Sequence, residues 1–403
     1  MREGPVGTAA LQQAAALLAE VVFHTPAVPA RWLSEPVGGP VYLKCENLQR
    51  TGSFKIRGAY NRIARLTPAE RARGVVAASA GNHAQGVALA ASLLEVPSTV
   101  FMPEGASLPK IEATLSYGAD VEFVGTTIDE ALTAAIERSE RTGAVLIHPF
   151  DHPDIVVGQA TVGLEIASQH PEARTVVVCA GGGGLLAGIC LGMEGLPDVR
   201  MVGVQAAGAA SFPASIRAGH PVALDRMITM ADGIAVARPG DLPYEIIADA
   251  GVDFLTVDDE QIAHALVTCL ERSKLVVEPA GAAALAAVLA YPEQFEPPVV
   301  VTLSGGNVDP LLLLRIVQRG LVAAGRYLVI TARIPDLPGH LDTLLAEIAS
   351  AKGNVVTVSH SRTDPRLRVD ECAVVVEVEV RGEEHAGTLL STLQQKGFSV
   401  SAA

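Results

Sequence analysis

Short continuous apolar runs alternate with helix-period stretches through most of this 403-residue chain. The runs 75–78, 99–102, 121–124, 144–147, 175–179, 201–204 and 299–303 read as strands. Helices are expected from about 82 and over 108–117, 128–141 and 155–168. Strands that are apolar throughout, rather than at alternate positions, are covered on both faces. That pattern predicts parallel sheets of the α/β kind. In such folds ligands collect beyond the carboxyl ends of strands.

The pattern changes at about 317–326. Strand 327–333, helix 339–351, strand 354–360, strand 371–380, helix 384–395 and a short strand 398–400 follow. The order βαββαβ predicts a ferredoxin-like unit. Glu377 and Glu379 alternate with valines, which predicts one wet sheet face. Asp336-Leu337-Pro338-Gly339 reads as a turn feeding a helix.

Composition narrows the classes. Hydrophobic residues make up 49% and aromatics only 4%, so small aliphatic side chains fill an ample core. A net charge of −14 argues against a nucleic-acid partner, which needs clustered Lys and Arg. The apolar stretch 176–193 is broken by glycines, so no membrane span is expected. Cys45, Cys179, Cys190, Cys269 and Cys372 are scattered, odd in number and without paired metal spacing. Reduced thiols in a cytoplasmic protein are the expectation. The N-terminus lacks a basic-then-apolar signal pattern.

Four motifs carry candidate chemistry, three of them directly after apolar strands. In Thr51-Gly52-Ser53-Phe54-Lys55, Lys55 stands just inside a helix start. The positive end of the helix dipole disfavours its charged form, and a neutral lysine amine is a nucleophile toward an aldehyde. Ser79-Ala80-Gly81-Asn82-His83 follows the strand 75–78 and leaves amides open at the next helix start, a seat for a carboxylate. Gly181-Gly182-Gly183-Gly184-Leu185 follows 175–179 and offers consecutive unobstructed amides to a phosphate. No Gly-Lys-Ser/Thr follows, so it is not a Walker loop. Ser304-Gly305-Gly306-Asn307 follows 299–303, and a serine there can hydrogen-bond a ring nitrogen. Each motif alone is also compatible with an ordinary cap or turn.

Together, over about residues 15–320, the motifs resemble fold-type II pyridoxal phosphate (PLP) enzymes, and among them the threonine/serine dehydratases. The runs His148-Pro149-Phe150-Asp151, Asp232-Gly233-Ile234-Ala235-Val236 and Val277-Glu278-Pro279-Ala280-Gly281-Ala282 look like the same family. The tail resembles an ACT regulatory domain. The resemblance implies a two-lobed α/β catalytic unit of the tryptophan synthase β-like kind over 1–322. Its small lobe, about 44–150, is inserted in a large lobe, and a ferredoxin-like ACT domain spans 327–403. It implies PLP on Lys55, ring packing by Phe54 and a ring-hydroxyl contact from Asn82. Gly181, Gly182, Gly183, Gly184 and Leu185 would hold the phosphate, and Ser304 the pyridine nitrogen. The substrate carboxylate would sit on Ser79, Ala80, Gly81, Asn82 and His83.

The implied reaction is β-elimination of L-threonine to 2-oxobutanoate and ammonia, and also of L-serine to pyruvate. A serine- or hydroxyaspartate-specific lyase is the alternative. An amino-acid effector at the ACT domain and a homodimer or homotetramer are implied as well. Where cation-using relatives carry acidic ligands, this chain has Gln205, Ala209 and Ser211. No divalent metal site is expected there, and a monovalent ion held by carbonyls stays open. Racemases of this fold carry a second acid/base serine where Ala80 stands, and Ala80 transfers no protons. Two readings from other classes compete. A regulatory protein with a vestigial catalytic unit is disfavoured by four intact motifs. A nicotinamide oxidoreductase is disfavoured by Gln205, where its ribose would want an acid.

Overall fold

The computed structural model describes residues 4–196, 198–323, 325–363 and 367–402. The chain divides into two compact units, Met1–Asp309 and Pro310–Ala403.

In the first unit the described strands form two sheets. The larger runs Ala27–Pro29, Val41–Cys45, Val299–Leu303, Thr175–Cys179, Arg200–Ala206, Asp253–Val257. All its pairs are parallel except the first, where Ala27–Pro29 runs antiparallel on Val41–Cys45. The smaller sheet is parallel throughout, in the order Asp120–Phe123, Ser98–Met102, Val75–Ala78, Val145–Leu146. Val75–Ala78, Thr175–Cys179 and Val299–Leu303 are buried at every position, which is why they read as unbroken apolar runs.

Two close helix contacts hold the site-bearing helices in place. The helix Pro153–Gln169 passes so near Lys55–Ala64 that a Cβ on Gly158 would lie 2.6 Å from the Arg57 carbonyl. On its other side it meets Gly184–Met193, where a Cβ on Gly192 would lie 2.4 Å from the Ala160 carbonyl. Only glycine permits either approach. Beneath Lys55–Ala64 lies a buried ion cluster. The Arg57 guanidinium donates to both oxygens of Glu46 at 2.8 Å and to Glu165 at 2.6 Å, and Lys44 donates to the other Glu165 oxygen. Burial opposes the charge on Arg57, yet Glu46 and Glu165 more than offset it, and its pKa moves upward. Removing one partner strands a buried charge, so this cluster fixes the base of the lysine-bearing helix.

The second unit is a βαββαβ sheet in the antiparallel order Asn354–Ser361, Glu371–Glu379, Tyr327–Pro335, Ser399–Ala402. Alternate residues of the two central strands are buried. They pack on Leu344, Ile348, Leu389 and Leu393 of the helices His340–Ser350 and Glu383–Gln395. The helix Pro310–Ala323 groups with this unit. Among the described residues no helix is long and apolar enough to cross a membrane.

Candidate active site

Three motifs emerge from the carboxyl ends of buried strands, and the Lys55 segment is laced to one of them. The Phe54 amide donates to the Ser304 carbonyl at 3.2 Å, the Gly306 amide donates to the Gly52 carbonyl at 2.9 Å, and Ser53 bridges Gly305. Asn307 joins three motifs with one amide group, donating to the Thr51 carbonyl at 2.6 Å and to Asn82 Oδ1 at 2.7 Å. The result is one cavity of about 510 Å³. Phe54, Lys55, Ser79, Ala80, Gly81, Asn82, His83, Gly181, Gly182, Gly183, Gly184, Leu185 and Ser304 all line it.

Lys55 is the first residue of its helix, with Phe54 at the cap. Its Nζ lies 5.3 Å from the centre of the Phe54 ring and donates to the Pro149 carbonyl at 2.9 Å. Burial, the chief cause, lowers its pKa to about 8. At that value roughly a tenth of the amine is neutral at pH 7, far more than for a free lysine, which suits it to act as a nucleophile and a base. Burial and then Lys55 push His83 down to about 3. The ring is therefore neutral, and its Nε2–H donates to the Ile147 carbonyl at 2.8 Å. Ser304 Oγ accepts from Cys179 Sγ at 3.2 Å.

Two helix starts meet the cavity without side-chain caps. The helix Asn82–Leu93 begins after Gly81, and the amides of Asn82 and His83 have no acceptor among the described residues. The helix Gly184–Met193 begins after Gly183 at φ +96°. The five amides of residues 181–185 likewise have no acceptor among the described residues. Open amides at a helix start fit a phosphate, and a neutral lysine in the same cavity fits an aldehyde. The residues present therefore fit PLP.

Glu278, which sequence reasoning left without a role, lines the same cavity and accepts a hydrogen bond from Asn82 Nδ2 at 2.5 Å. Burial and then Asp232 raise its pKa to about 7. Its signal in the sequence is one charge between Val277 and a helix-starting Pro279. The folded chain holds this proton more tightly than the unfolded chain. The stability that Glu278 contributes therefore falls as pH rises from the ordinary value of 4.5 to about 7, then levels off. Glu278→Gln keeps the acceptor for Asn82 and removes the charge. Thermal unfolding of the variant should lose that slope, with a relative gain on the order of 3 kcal/mol above the upper value. Parallel stability–pH curves for both proteins would show that Glu278 is not the titrating group.

Lys110 and Asp232, also not singled out, pair at 2.6 Å across the cavity lining. Gln205 is fully buried and spends its amide on the Ala180 carbonyl at 3.0 Å and the Phe212 amide at 2.7 Å.

A lysine with a lowered pKa and open amides that fit a phosphate, on one cavity between two α/β sheets, point to a class: enzymes that carry a phosphorylated aldehyde cofactor. The family model for pyridoxal-phosphate dependent enzymes matches residues 18–305. The chain belongs to this family, and its cofactor is PLP. It is 45% identical to the L-threonine ammonia-lyase of Geobacter sulfurreducens, over 97% of this chain and 98% of that one. It is 43% identical to the L-threonine ammonia-lyase of Thermotoga maritima, again over 97% and 98%. Among solved structures it resembles the processed form of threonine deaminase isoform 2 from Solanum lycopersicum. That match has a TM-score of 0.73 and 37% identity, and covers 77% of this chain and 88% of that one.

Proposed function

We propose that this chain is an L-threonine ammonia-lyase, releasing 2-oxobutanoate and ammonia and acting also on L-serine. The observation that carries the reading is the meeting of Lys55 with two sets of open amides in one cavity, beside near full-length similarity to two L-threonine ammonia-lyases. Lys55 would hold PLP, residues 181–185 would hold its phosphate, and Asn82 and Ser304 would meet the ring hydroxyl and ring nitrogen. Bound PLP supplies the sink for the electron pair left when the α-proton departs. The substrate carboxylate lies on the open amides of residues 79–83. Once the substrate amine has displaced it from the cofactor, Lys55 Nζ would take the Cα proton, a task suited to an amine tuned to about 8. Ala80 offers no acid on the opposite face.

The lining supports threonine over hydroxyaspartate. Ile128, Leu132, Met227 and Val236 offer an apolar wall to a methyl group. Among the described lining residues the lysines are Lys55, committed to the cofactor, and Lys110, neutralised by Asp232. No lysine is left for a second carboxylate. Absence of a disulfide among the five cysteines supports a cytoplasmic setting.

Residues 327–403 are read as an ACT domain that joins copies of the chain into a homodimer or homotetramer and takes a branched-chain amino acid. Open amides at Gly339 and Leu341 support a carboxylate seat there. One assay series covers the whole reading. L-Threonine should outperform L-serine, 3-hydroxyaspartate should be inert, and L-serine should give pyruvate without D-serine. Isoleucine or valine should shift the kinetics of the full chain and not of a chain ending at Asp309. Preference for hydroxyaspartate would overturn the substrate assignment. Equal effector responses in the two chains would remove the regulatory one.

A further inference from the structure

In the second unit, three strands bring a carboxylate, an imidazole and a thiol to one corner. Asp336 follows the strand Tyr327–Pro335, His360 is next to last in Asn354–Ser361, and Cys372 is second in Glu371–Glu379 between them. The register sets Cys372 opposite Ile334 and His360 opposite Val374, so the three converge at one end of the sheet. One ligating atom from each lies within 4.8 Å of the other two.

We propose that Asp336, His360 and Cys372 form a binding site for a borderline-soft divalent transition metal, with Zn²⁺ as the occupant. A sulfur, a nitrogen and an oxygen donor, with water as the fourth, suit tetrahedral zinc. Calcium and magnesium call for oxygen donors throughout. Bonds of about 2.0–2.3 Å require the donors to draw in by roughly 1 Å. Exposed His360 can turn toward the ion, Asp336 is already held in place by Arg362, and buried Cys372 supplies the fixed point. Cys372 Sγ sits 3.7 Å from the Ile334 carbonyl, and its proton leaves when the metal binds. Arg362 donates to both oxygens of Asp336, at 2.5 and 2.8 Å, and keeps the carboxylate ionised. The remaining lone pairs of that carboxylate stay open to a metal.

The consequence is mechanical. A metal here ties the edge strand Asn354–Ser361 and the central strand to the turn that enters the helix His340–Ser350. No short-range spacing signals such a site, because two ligands come from different strands and the third from the turn after another.

The test uses the full-length protein, stripped with chelator and titrated with Co²⁺ alone, so it does not depend on any effector or substrate. One equivalent should give a thiolate-to-cobalt charge-transfer band and tetrahedral visible bands, all displaced by Zn²⁺. Cys372→Ser should lose the charge-transfer band. His360→Gln, at an exposed position that leaves folding untouched, should weaken binding by at least about tenfold. Wild-type protein without the band, or binding unchanged in His360→Gln, overturns the site.

Discussion

Lys55→Ala is expected to reduce threonine turnover by at least about 10³-fold, in line with loss of both a covalent anchor and a general base. The side chain is half-buried, and among the described residues its hydrogen bond is to the Pro149 carbonyl, in a cavity where water can replace it. The fold is held elsewhere, by the Arg57 cluster under the same helix and by the Gly158 contact. Far-UV circular dichroism should therefore match the wild type while the near-visible absorption of the lysine-bound cofactor disappears. Lys55→Arg separates charge from nucleophilicity: it retains a cation and should be as inactive as alanine. A variant with more than about a tenth of wild-type activity would remove Lys55 from the chemistry.

Gly183→Ala is expected to weaken PLP binding by at least about tenfold, which corresponds to roughly 1.4 kcal/mol. Gly183 sits at φ +96°, where an L side chain adds about 1–2 kcal/mol of strain. Its new Cβ would lie 2.6 Å from Phe212 Cζ and 2.9 Å from Pro243 Cβ. Phe212 cannot retreat, being fully buried and stacked 5.0 Å from Phe254. The loop must move, and the amides of residues 181–185 move with it. Absorbance titration of the apoprotein with PLP measures the effect. Gly105→Ala, with nothing within 4 Å of its Cβ, is the control. Affinity within about twofold of wild type would show that this loop does not cradle the phosphate.

Local order was legible in the chain. The strands Val75–Ala78, Thr175–Cys179 and Val299–Leu303 stand where the apolar runs predict them, because burial on both faces leaves a signal within four or five residues. The βαββαβ order of the tail was legible for the same reason, with alternation marking a half-buried sheet. The motifs at strand ends were visible as glycine and small polar residues interrupting those runs. The strand Ala27–Pro29 was not, since two half-exposed residues and an exposed proline have no pattern of their own.

Tertiary structure alone decided what meets what. The same alternation of strand and helix would serve one sheet or two, and long-range pairing chose two. Asn307 reaches Thr51 and Asn82 across 256 and 225 residues, contacts that no local window contains. Burial sets the amine of Lys55 near 8 and the acid of Glu278 near 7, and burial belongs to the assembled cavity. His360, Cys372 and Asp336 likewise became neighbours only through strand register. Short-range pattern specifies elements because hydrophobic period is local; charge state and chemical partnership depend on desolvation and distance, which exist only once the chain has folded.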